Sequence, residues 1–229
     1  MIYITGDTHR DFSHIKRFCE EQNTTKDDQI IILGDACINY MLDEHDIEYK
    51  RYLSKFPITF FCIHGNHEQR PEEIKTYIYD DVGGFYYEPE FPNIRFARDG
   101  NLYEFNGKEY IVIGGAYSVD KEYRMLGNGK WWANEQPSRE TKDDVNWTLE
   151  NICEWRIDGV LSHTCPLKYE PVEMFLSGID ESKVDNSTEI WLDHIEDYLD
   201  YDAWWCGHWH TNKHIDKMHF LFNDIVELR

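Results

Sequence analysis

The sequence predicts an α/β fold that contains a second sheet or one mixed sheet. Short apolar runs end in polar turns and alternate with amphipathic segments, which is typical of parallel strands joined by helices. In mid-chain an Asn106-Gly107 turn separates two strand-like runs and indicates a hairpin. Because the strands of a hairpin are antiparallel, the fold is not a simple doubly wound sheet.

The size and composition of the chain are those of a globular protein. It has 229 residues, of which 41% are hydrophobic and 15% aromatic. No Pro, Gly and Ser-rich linker divides it, so we expect one domain over residues 1–229. No apolar run approaches the roughly 20 residues of a membrane span, and residues 1–5 look like a strand and not like a signal peptide. We therefore expect no membrane partner.

Charge and cysteine content narrow the classes of function. Lys and Arg number 23 against 44 Asp and Glu, for a formal net charge of -21. Such a surface repels long nucleic acids, but a local metal site would still accept a small phosphorylated substrate. The six cysteines are scattered and form no CxxC pair, so we expect reduced, mostly buried thiols in a cytoplasmic protein.

The first half of the chain predicts three buried strands and two helices. The strands are expected at residues 1–5, 29–33 and 57–63. A first helix begins near Asp11, with His14 on its exposed side and Ile15, Phe18 and Cys19 buried. A polar second helix covers residues 43–56 and is stopped by Pro57.

The second half predicts a strand-rich segment, a long loop and two more helices. An acidic, aromatic stretch at 71–91 turns at Gly83-Gly84. The loop at 118–141 is predicted to be a flap, and its Trp131 and Trp132 either contact substrate or cover the core edge. Residues 171–185 are irregular or form a short helix. Further strands are expected at 93–97, 101–105, 108–113, 159–162, 203–206, 214–215, 219–222 and 225–228, and helices at 141–155 and 187–199.

Five predicted strands are each followed by residues of the types that ligate metals. Alternate residues of an extended chain point the same way, so Asp7 and His9 share one side, as do His208 and His210. Any one of these residues has a structural explanation; Asp35, for example, could cap a helix. Together they suffice for two ions about 3.5–4 Å apart, which clamp a phosphoryl group. The set is Asp7, His9, Asp35, Asn66, His67, His163, His208 and His210.

These motifs resemble the five ordered motifs of the calcineurin-like metallophosphoesterases. The resemblance covers nearly the whole chain, and residues 114–138 and 223–228 are also similar to small single-domain bacterial and phage members. It implies a four-layer α/β/β/α sandwich of two mixed sheets flanked by helices, with the site at the carboxyl ends of the strands. The motifs are Gly6-Asp7-Thr8-His9, Gly34-Asp35, Gly65-Asn66-His67-Glu68, Ser162-His163 and Gly207-His208-Trp209-His210.

The resemblance also implies a role for each residue. One divalent ion would be held by Asp7, His9, Asp35 and His210, and a second by Asp35, Asn66, His163 and His208. Asp35 would bridge the two, together with a water or hydroxide that attacks phosphorus. His67 would protonate or stabilise the leaving oxygen. The ions would be Mn, Fe or Zn, among which these donors do not choose.

The chain departs from the protein-phosphatase branch of that family. Ile38 and Asn39 stand where that branch has an acid and an arginine, and His64 stands where it has a second arginine. The orientation of His67 therefore depends on Asn39, Asp43 or Glu44, or on the backbone. Substrate contacts are assigned instead to Arg10, His64, Arg70, Arg124 and Trp132.

The expected function is hydrolysis of a phosphate ester at a dinuclear metal centre, on a small phosphorylated or nucleotide-type substrate. The missing arginines favour diesters or nucleotide polyphosphates over monoesters. One alternative is a phosphomonoesterase similar to protein phosphatases. Another is an inactive metal-binding scaffold whose Trp-rich flap holds a partner. The acidic charge disfavours a nuclease acting on long DNA.

Overall fold

The computed structural model describes residues 1–229, apart from the side chains of Asn128 and Glu181. No helix among these residues has the length and apolar character needed to cross a bilayer. The helices are α1 (Ser13–Gln22), α2 (Glu44–Leu53), α3 (Lys121–Tyr123), α4 (Arg139–Asn151) and α5 (Ser187–Tyr198). The strands are β1 (Ile2–Thr5), β2 (Gln29–Ile32), β3 (Thr59–Cys62), β4 (Ile78–Asp80), β5 (Phe85–Tyr87), β6 (Ile94–Ala97), β7 (Leu102–Phe105), β8 (Lys108–Ile113), β9 (Arg156–Ser162), β10 (Asp200–Cys206), β11 (Lys213–Ile215), β12 (Met218–Phe220) and β13 (Val226–Glu227).

The strands form two sheets, and both are mixed. The 7-stranded sheet has the order β13-β1-β2-β3-β6-β5-β4, in which β1, β2, β3 and β6 are parallel. The 6-stranded sheet has the order β11-β12-β10-β9-β8-β7, in which β12, β10, β9 and β8 are parallel. The predicted change from parallel to antiparallel pairing, and the hairpin at Asn106-Gly107, are confirmed.

The sheets lie face to face with helices on the outside. Successive residues of β2 and the turn after it alternate between two cores. Ile30 and Ile32 pack under α1 and α2, whereas Ile31 and Leu33 face the other sheet. Leu161 of β9 lies in the same inter-sheet core, and α4 and α5 cover the far face. This confirms the four-layer α/β/β/α arrangement and explains why the strands are apolar throughout.

Several element boundaries differ from the predicted ones. The second helix ends at Leu53 and not at residue 56, because Lys55 and Phe56 donate to carbonyls three residues back, in tighter turns. The fourth helix begins at Arg139, since Ser138 caps it by accepting from the N–H of Thr141 at 3.0 Å.

The sequence analysis missed one hairpin and misplaced two side chains. Within residues 71–91, β4 and β5 pair across the predicted Gly83-Gly84 turn, but each has only 3 residues and shows no readable alternation. The prediction for His14 was wrong, since it is half-buried, and burial lowers the pKa of its imidazole. Phe18 is likewise half-buried, with its ring 4.7 Å from that of Tyr3.

The carboxyl ends of the parallel strands meet at one edge of the sandwich. Within the first sheet, the N–H of Leu33 donates to the carbonyl of Thr5 at 3.0 Å and that of Ile63 to Ile32 at 2.9 Å. In the second sheet, the N–H of Gly207 donates to the carbonyl of His163 at 2.9 Å. The turns that follow these strands therefore begin side by side.

The inter-sheet core predicts a measurable loss of stability. Leu161→Ala removes a side chain that is 0% exposed, and we expect it to lower the free energy of unfolding by about 2–5 kcal/mol. Val82→Ala, at a position that is 99% exposed, is the control and should change it by less than about 0.5 kcal/mol. Urea unfolding measures both. Equal effects would mean that Leu161 is not in a packed core.

Candidate metal centre

The structure brings all eight predicted strand-end residues into one cluster. Three groups of side chains have ligand atoms within 4.8 Å of one another: Asp7 with His9 and His210, His9 with Asp35 and His67, and Asp7 with Asp35 and His163. Oδ1 of Asn66 lies 2.8 Å from Nε2 of His163, and the ring centroids of His208 and His163 are 5.0 Å apart. The first sheet supplies Asp7, His9, Asp35, Asn66 and His67, and the second supplies His163, His208 and His210.

Asp7 holds one oxygen toward the protein and leaves the other unpaired. Its carboxylate is buried, and Oδ1 accepts a hydrogen bond from the N–H of His208 at 2.8 Å. Oδ2 is buried and has no hydrogen-bond partner among the described residues. It lies 3.4 Å from Nε2 of His210 and 3.7 Å from Nε2 of His9. A buried carboxylate oxygen without a donor is costly, so this position fits a cation.

Asp35 lies between the two halves of the cluster. Its Oδ2 is 3.8 Å from Nε2 of His9, and its Oδ1 is 3.7 Å from Nε2 of His163. Oδ1 also accepts from the N–H of His67 at 2.8 Å. Burial would raise the pKa of Asp35, but the imidazoles of His67, His163 and His9 outweigh burial and lower it below its usual range. The carboxylate is therefore ionised at neutral pH.

Three glycines of the motifs leave space for ligand-type side chains because they have no Cβ. A Cβ on Gly65 would lie 2.0 Å from Oδ1 of Asp35, and one on Gly207 would lie 2.2 Å from Oδ1 of Asp7. A Cβ on Gly34 would lie 2.0 Å from Nδ1 of His163. Each glycine thus lets a ligand-type side chain of another motif touch its backbone.

His163 and Asn66 present two acceptors to each other. Nδ1 of His163 is 2.8 Å from the carbonyl oxygen of Leu33, which can only accept, so Nδ1 carries the proton. The neutral imidazole then has a lone pair at Nε2, which lies 2.8 Å from Oδ1 of Asn66. A pair of acceptors at this distance is unfavourable unless a cation lies beside them, and it is a suitable pair of metal donors.

The orientation of the Asn66 amide is set by a chain of hydrogen bonds that starts at Glu135. Glu135 accepts from the N–H of Ser118 at 3.2 Å and from Nε1 of Trp131 at 2.7 Å. The hydroxyl oxygen of Ser118 in turn accepts from Nδ2 of Asn66 at 2.8 Å. Oδ1 of Asn66 is thereby turned toward His163. Sequence analysis did not assign Ser118 or Glu135 a role, because the contacts join segments far apart in the chain.

Four residues of the cluster have left-handed backbone conformations. They are His9 (φ 43), Asp35 (φ 49), His208 (φ 64) and His210 (φ 48). Such conformations cost on the order of 1–3 kcal/mol each outside glycine. Backbone strain of this kind is found most often at functional sites, and in this fold it occurs at the cluster.

None of the five residues predicted to contact substrate belongs to the described lining of the cavity that adjoins the cluster, although Nη1 of Arg124 donates to the carbonyl oxygen of Asn66 at 3.4 Å. Arg10 pairs with Asp46, Arg70 with Asp99 and Arg124 with Asp120. Nε2 of His64 lies 2.9 Å from the carbonyl oxygen of Glu68, and Trp132 is half-buried in the loop after α3. A role for these residues in substrate binding, and a flap function for residues 118–141, stay predictions.

The comparisons with known proteins agree with this geometry. A sequence model described as calcineurin-like phosphoesterase matches residues 1–212. The solved structure of TT1561 of Thermus thermophilus is 14% identical and has a TM-score of 0.52, with 96% of this chain and 87% of that one covered; it is similar in fold alone. AQ665 of Aquifex aeolicus, a protein of unknown function, is 16% identical over 74% of this chain and 81% of its own, and its TM-score of 0.37 carries no argument. No curated protein matches the sequence.

The glycine contacts predict that Gly65→Ala disrupts the cluster. The added methyl group would meet both Oδ1 and the backbone N of Asp35, at 2.0 and 2.2 Å. We expect loss of divalent-ion binding and a lower melting temperature. Gly107→Ala is the control, because its Cβ would meet nothing within 4 Å and only its φ of +77° is strained. Ion binding by Gly65→Ala equal to that of the control would contradict the close approach.

The hydrogen-bond chain predicts that Ser118→Ala weakens ion binding without unfolding the protein. Losing the acceptor for Nδ2 of Asn66 frees the amide to rotate, and we expect affinity for Mn²⁺ to fall roughly 10- to 100-fold. Calorimetric titration measures this. Ser54→Ala removes an exposed hydroxyl bonded to the carbonyl of Arg51 and is the matched control. An unchanged affinity in Ser118→Ala would show that Asn66 is positioned by other groups.

Proposed function

The chain belongs to the calcineurin-like phosphoesterase family, and from that premise we propose that it hydrolyses phosphoesters with two divalent metal ions bound at its strand ends. The observation that carries the proposal is the position of Asp35. One of its oxygens lies near His9 and the other near His163, so a single carboxylate faces both halves of the cluster. A carboxylate is the one side-chain type in the cluster that can donate to two ions at once.

The proposed ligands fall into two sets that share Asp35. The first adds Asp7, His9 and His210, in which Nε2 of His9 and Nε2 of His210 are 2.8 Å apart. The second adds Asn66, His163 and His208. Burial and the neighbouring His163 lower the pKa of His208 to about 3, so its imidazole is neutral, which is the form that binds metals. Mixed nitrogen and oxygen donors suit Mn, Fe or Zn.

His67 is the proposed general acid. When bound, divalent ions polarise a phosphoryl oxygen and lower the pKa of coordinated water. His67 lines the cavity, and its Nε2 lies 3.9 Å from Oδ2 of Asp35. Burial lowers the pKa of His67, and a more acidic imidazolium gives up its proton to a leaving oxygen more readily. Its backbone N–H bond to Asp35 holds the turn in place, which favours the backbone among the predicted means of orienting it.

The charges around the cavity favour a phosphodiester over a monoester. Among the described residues that line the cavity, none is Lys or Arg. A phosphomonoester carries a second negative charge at neutral pH, and the described lining has no Lys or Arg to neutralise it. A diester carries one charge at phosphorus. The formal net charge of -21 further favours a small substrate over a long nucleic acid.

We also propose that the protein acts in the cytoplasm. All six cysteines are free thiols in the structure: Cys19, Cys37, Cys62, Cys153, Cys165 and Cys206. Five of them are buried, and only Cys153 is partly exposed. Unpaired thiols are typical of a reducing compartment.

The first test compares Mn²⁺-loaded protein on bis(p-nitrophenyl) phosphate and p-nitrophenyl phosphate. We expect the diester to be preferred. Asp35→Asn should lose both bound metal and turnover. His67→Ala should keep its metal and lose roughly 10²- to 10⁴-fold in kcat, because it removes only the proton donor. His45→Ala, an exposed histidine on α2, is the control.

Four results would count against the proposal. Activity in Asp35→Asn equal to that of the unaltered protein would exclude the bridging role. Unchanged kcat in His67→Ala would exclude the general acid. Two bound metals with no turnover of either ester would favour the inactive scaffold, while a monoester preference would favour the alternative that is similar to protein phosphatases.

A further inference from the structure

We propose that the cavity beside the cluster binds a largely apolar organic group of the phosphodiester that carries no second negative charge, and that Glu189 selects a hydrogen-bond donor on that group. This inference rests on the proposed function and names the class of substrate. It follows from the volume of the cavity, its apolar lining, one unpaired carboxylate oxygen and the absence of Lys and Arg from the described lining.

The cavity is continuous with the candidate metal ligands. It has a volume of about 480 Å³, which is within the range of sites for small molecules. Asp35, His67 and His210 line one side of it. A phosphoryl group placed at the cluster therefore extends its substituent directly into the cavity.

Another part of the cavity lining is an apolar wall. It is formed by Met174, Phe175, Leu176, Ile179 and Val184, from the segment predicted to be irregular, which contains short 3₁₀ turns. Leu176 is 64% exposed and Met174 is 38% exposed, although both face this cavity. Apolar side chains gathered in a concave surface mark a site for an apolar ligand.

An aromatic stack attaches this wall to the cluster. The ring of Phe175 lies 5.7 Å from that of Trp209 at an interplanar angle of 20°. Trp209 stands between His208 and His210 in the sequence. The stack therefore joins the apolar wall to the turn that carries two of the proposed ligands.

Glu189 adds a polar feature to this surface. It lies in the first turn of α5, is 4% exposed and lines the cavity. Its Oε2 is buried and has no hydrogen-bond partner among the described residues. Burial raises the pKa of Glu189 to about 7, so the group is largely ionised above neutral pH. An unpaired, buried acceptor favours a ligand that brings a hydroxyl or amino group.

The charge of the lining excludes a second anionic group on the substrate. Glu189, whose Oε2 has no hydrogen-bond partner among the described residues, lines the cavity, and no Lys or Arg accompanies it in the described lining. When ionised, this carboxylate would repel a carboxylate or further phosphate on the substituent. The inference thus disfavours nucleotide polyphosphates, which the sequence alone left open.

The apolar wall is tested by binding, independently of turnover. We expect Mn²⁺-loaded protein to bind diphenyl phosphate at least tenfold more tightly than dimethyl phosphate in calorimetric titrations, because a phenyl group buries far more apolar area. Leu176→Ser should reduce that ratio severalfold and leave dimethyl phosphate unchanged. Leu126→Ser is the control, since Leu126 is 82% exposed and lies outside the cavity. Equal binding of the two esters would overturn the inference.

Glu189 is tested with a second pair of ligands. At pH 8, 3-(hydroxymethyl)phenyl methyl phosphate should bind severalfold more tightly than phenyl methyl phosphate. Glu189→Met, a change of similar volume, should remove the difference, provided that the variant keeps its cooperative thermal unfolding; Glu189→Ala, which also lacks an acceptor, serves if it does not. A difference that survives in the folded variant would exclude Glu189 as the selecting group.

These results separate the inference from the proposed function. Tight, selective binding of diphenyl phosphate with no hydrolysis of any aryl diester would leave the apolar subsite standing and remove the phosphoesterase proposal. Hydrolysis of diesters with no preference between phenyl and methyl substituents would do the reverse.

Discussion

The structure depends on burying two carboxylates, Asp7 and Asp35, at the meeting point of two sheets. Two like charges in a poorly hydrated place repel each other strongly. Backbone N–H groups from other motifs partly offset this repulsion: that of His208 donates to Asp7 and that of His67 donates to Asp35. Those bonds require backbones to come close, which only glycine permits at Gly65 and Gly207. Oδ2 of Asp7 receives no hydrogen bond from the described residues, so its position fits a cation.

The packing of the two sheets fixes the positions of these turns relative to one another. The inter-sheet core, which contains Ile31 and Leu161, fixes the distance between the strands that precede Asp35 and His163. The loops supply the candidate functional side chains and the strands fix where those loops begin, as is common in α/β proteins. The network from Glu135 through Ser118 to Asn66 extends the same principle, because it transmits the placement of a surface loop to the orientation of one amide.

Sequence patterns predicted the parts of this arrangement that are local. The strand at 108–113 was predicted with its observed bounds because it adjoins an Asn-Gly turn, and the strand-end residues were found because apolar runs stop abruptly before them. The β4–β5 hairpin was missed, since 3 residues are too few to show a period. Ser118, Glu135 and Glu189 carry no local signal, because tertiary contact alone brings them to the cluster. Likewise, nothing in the sequence near Leu176 indicates that it lines the same cavity as His67.

The left-handed backbone at His9, Asp35, His208 and His210 has a consequence for which sequences this centre can tolerate. Apart from glycine, the residues most often found in that conformation are Asn, Asp and His. The same three residues supply the nitrogen and oxygen donors that divalent metals accept. Backbone sterics and coordination chemistry therefore restrict these positions to the same few residue types. A β-branched or bulky replacement would lose a donor and strain the turn at once, so such a centre tolerates few partial substitutions.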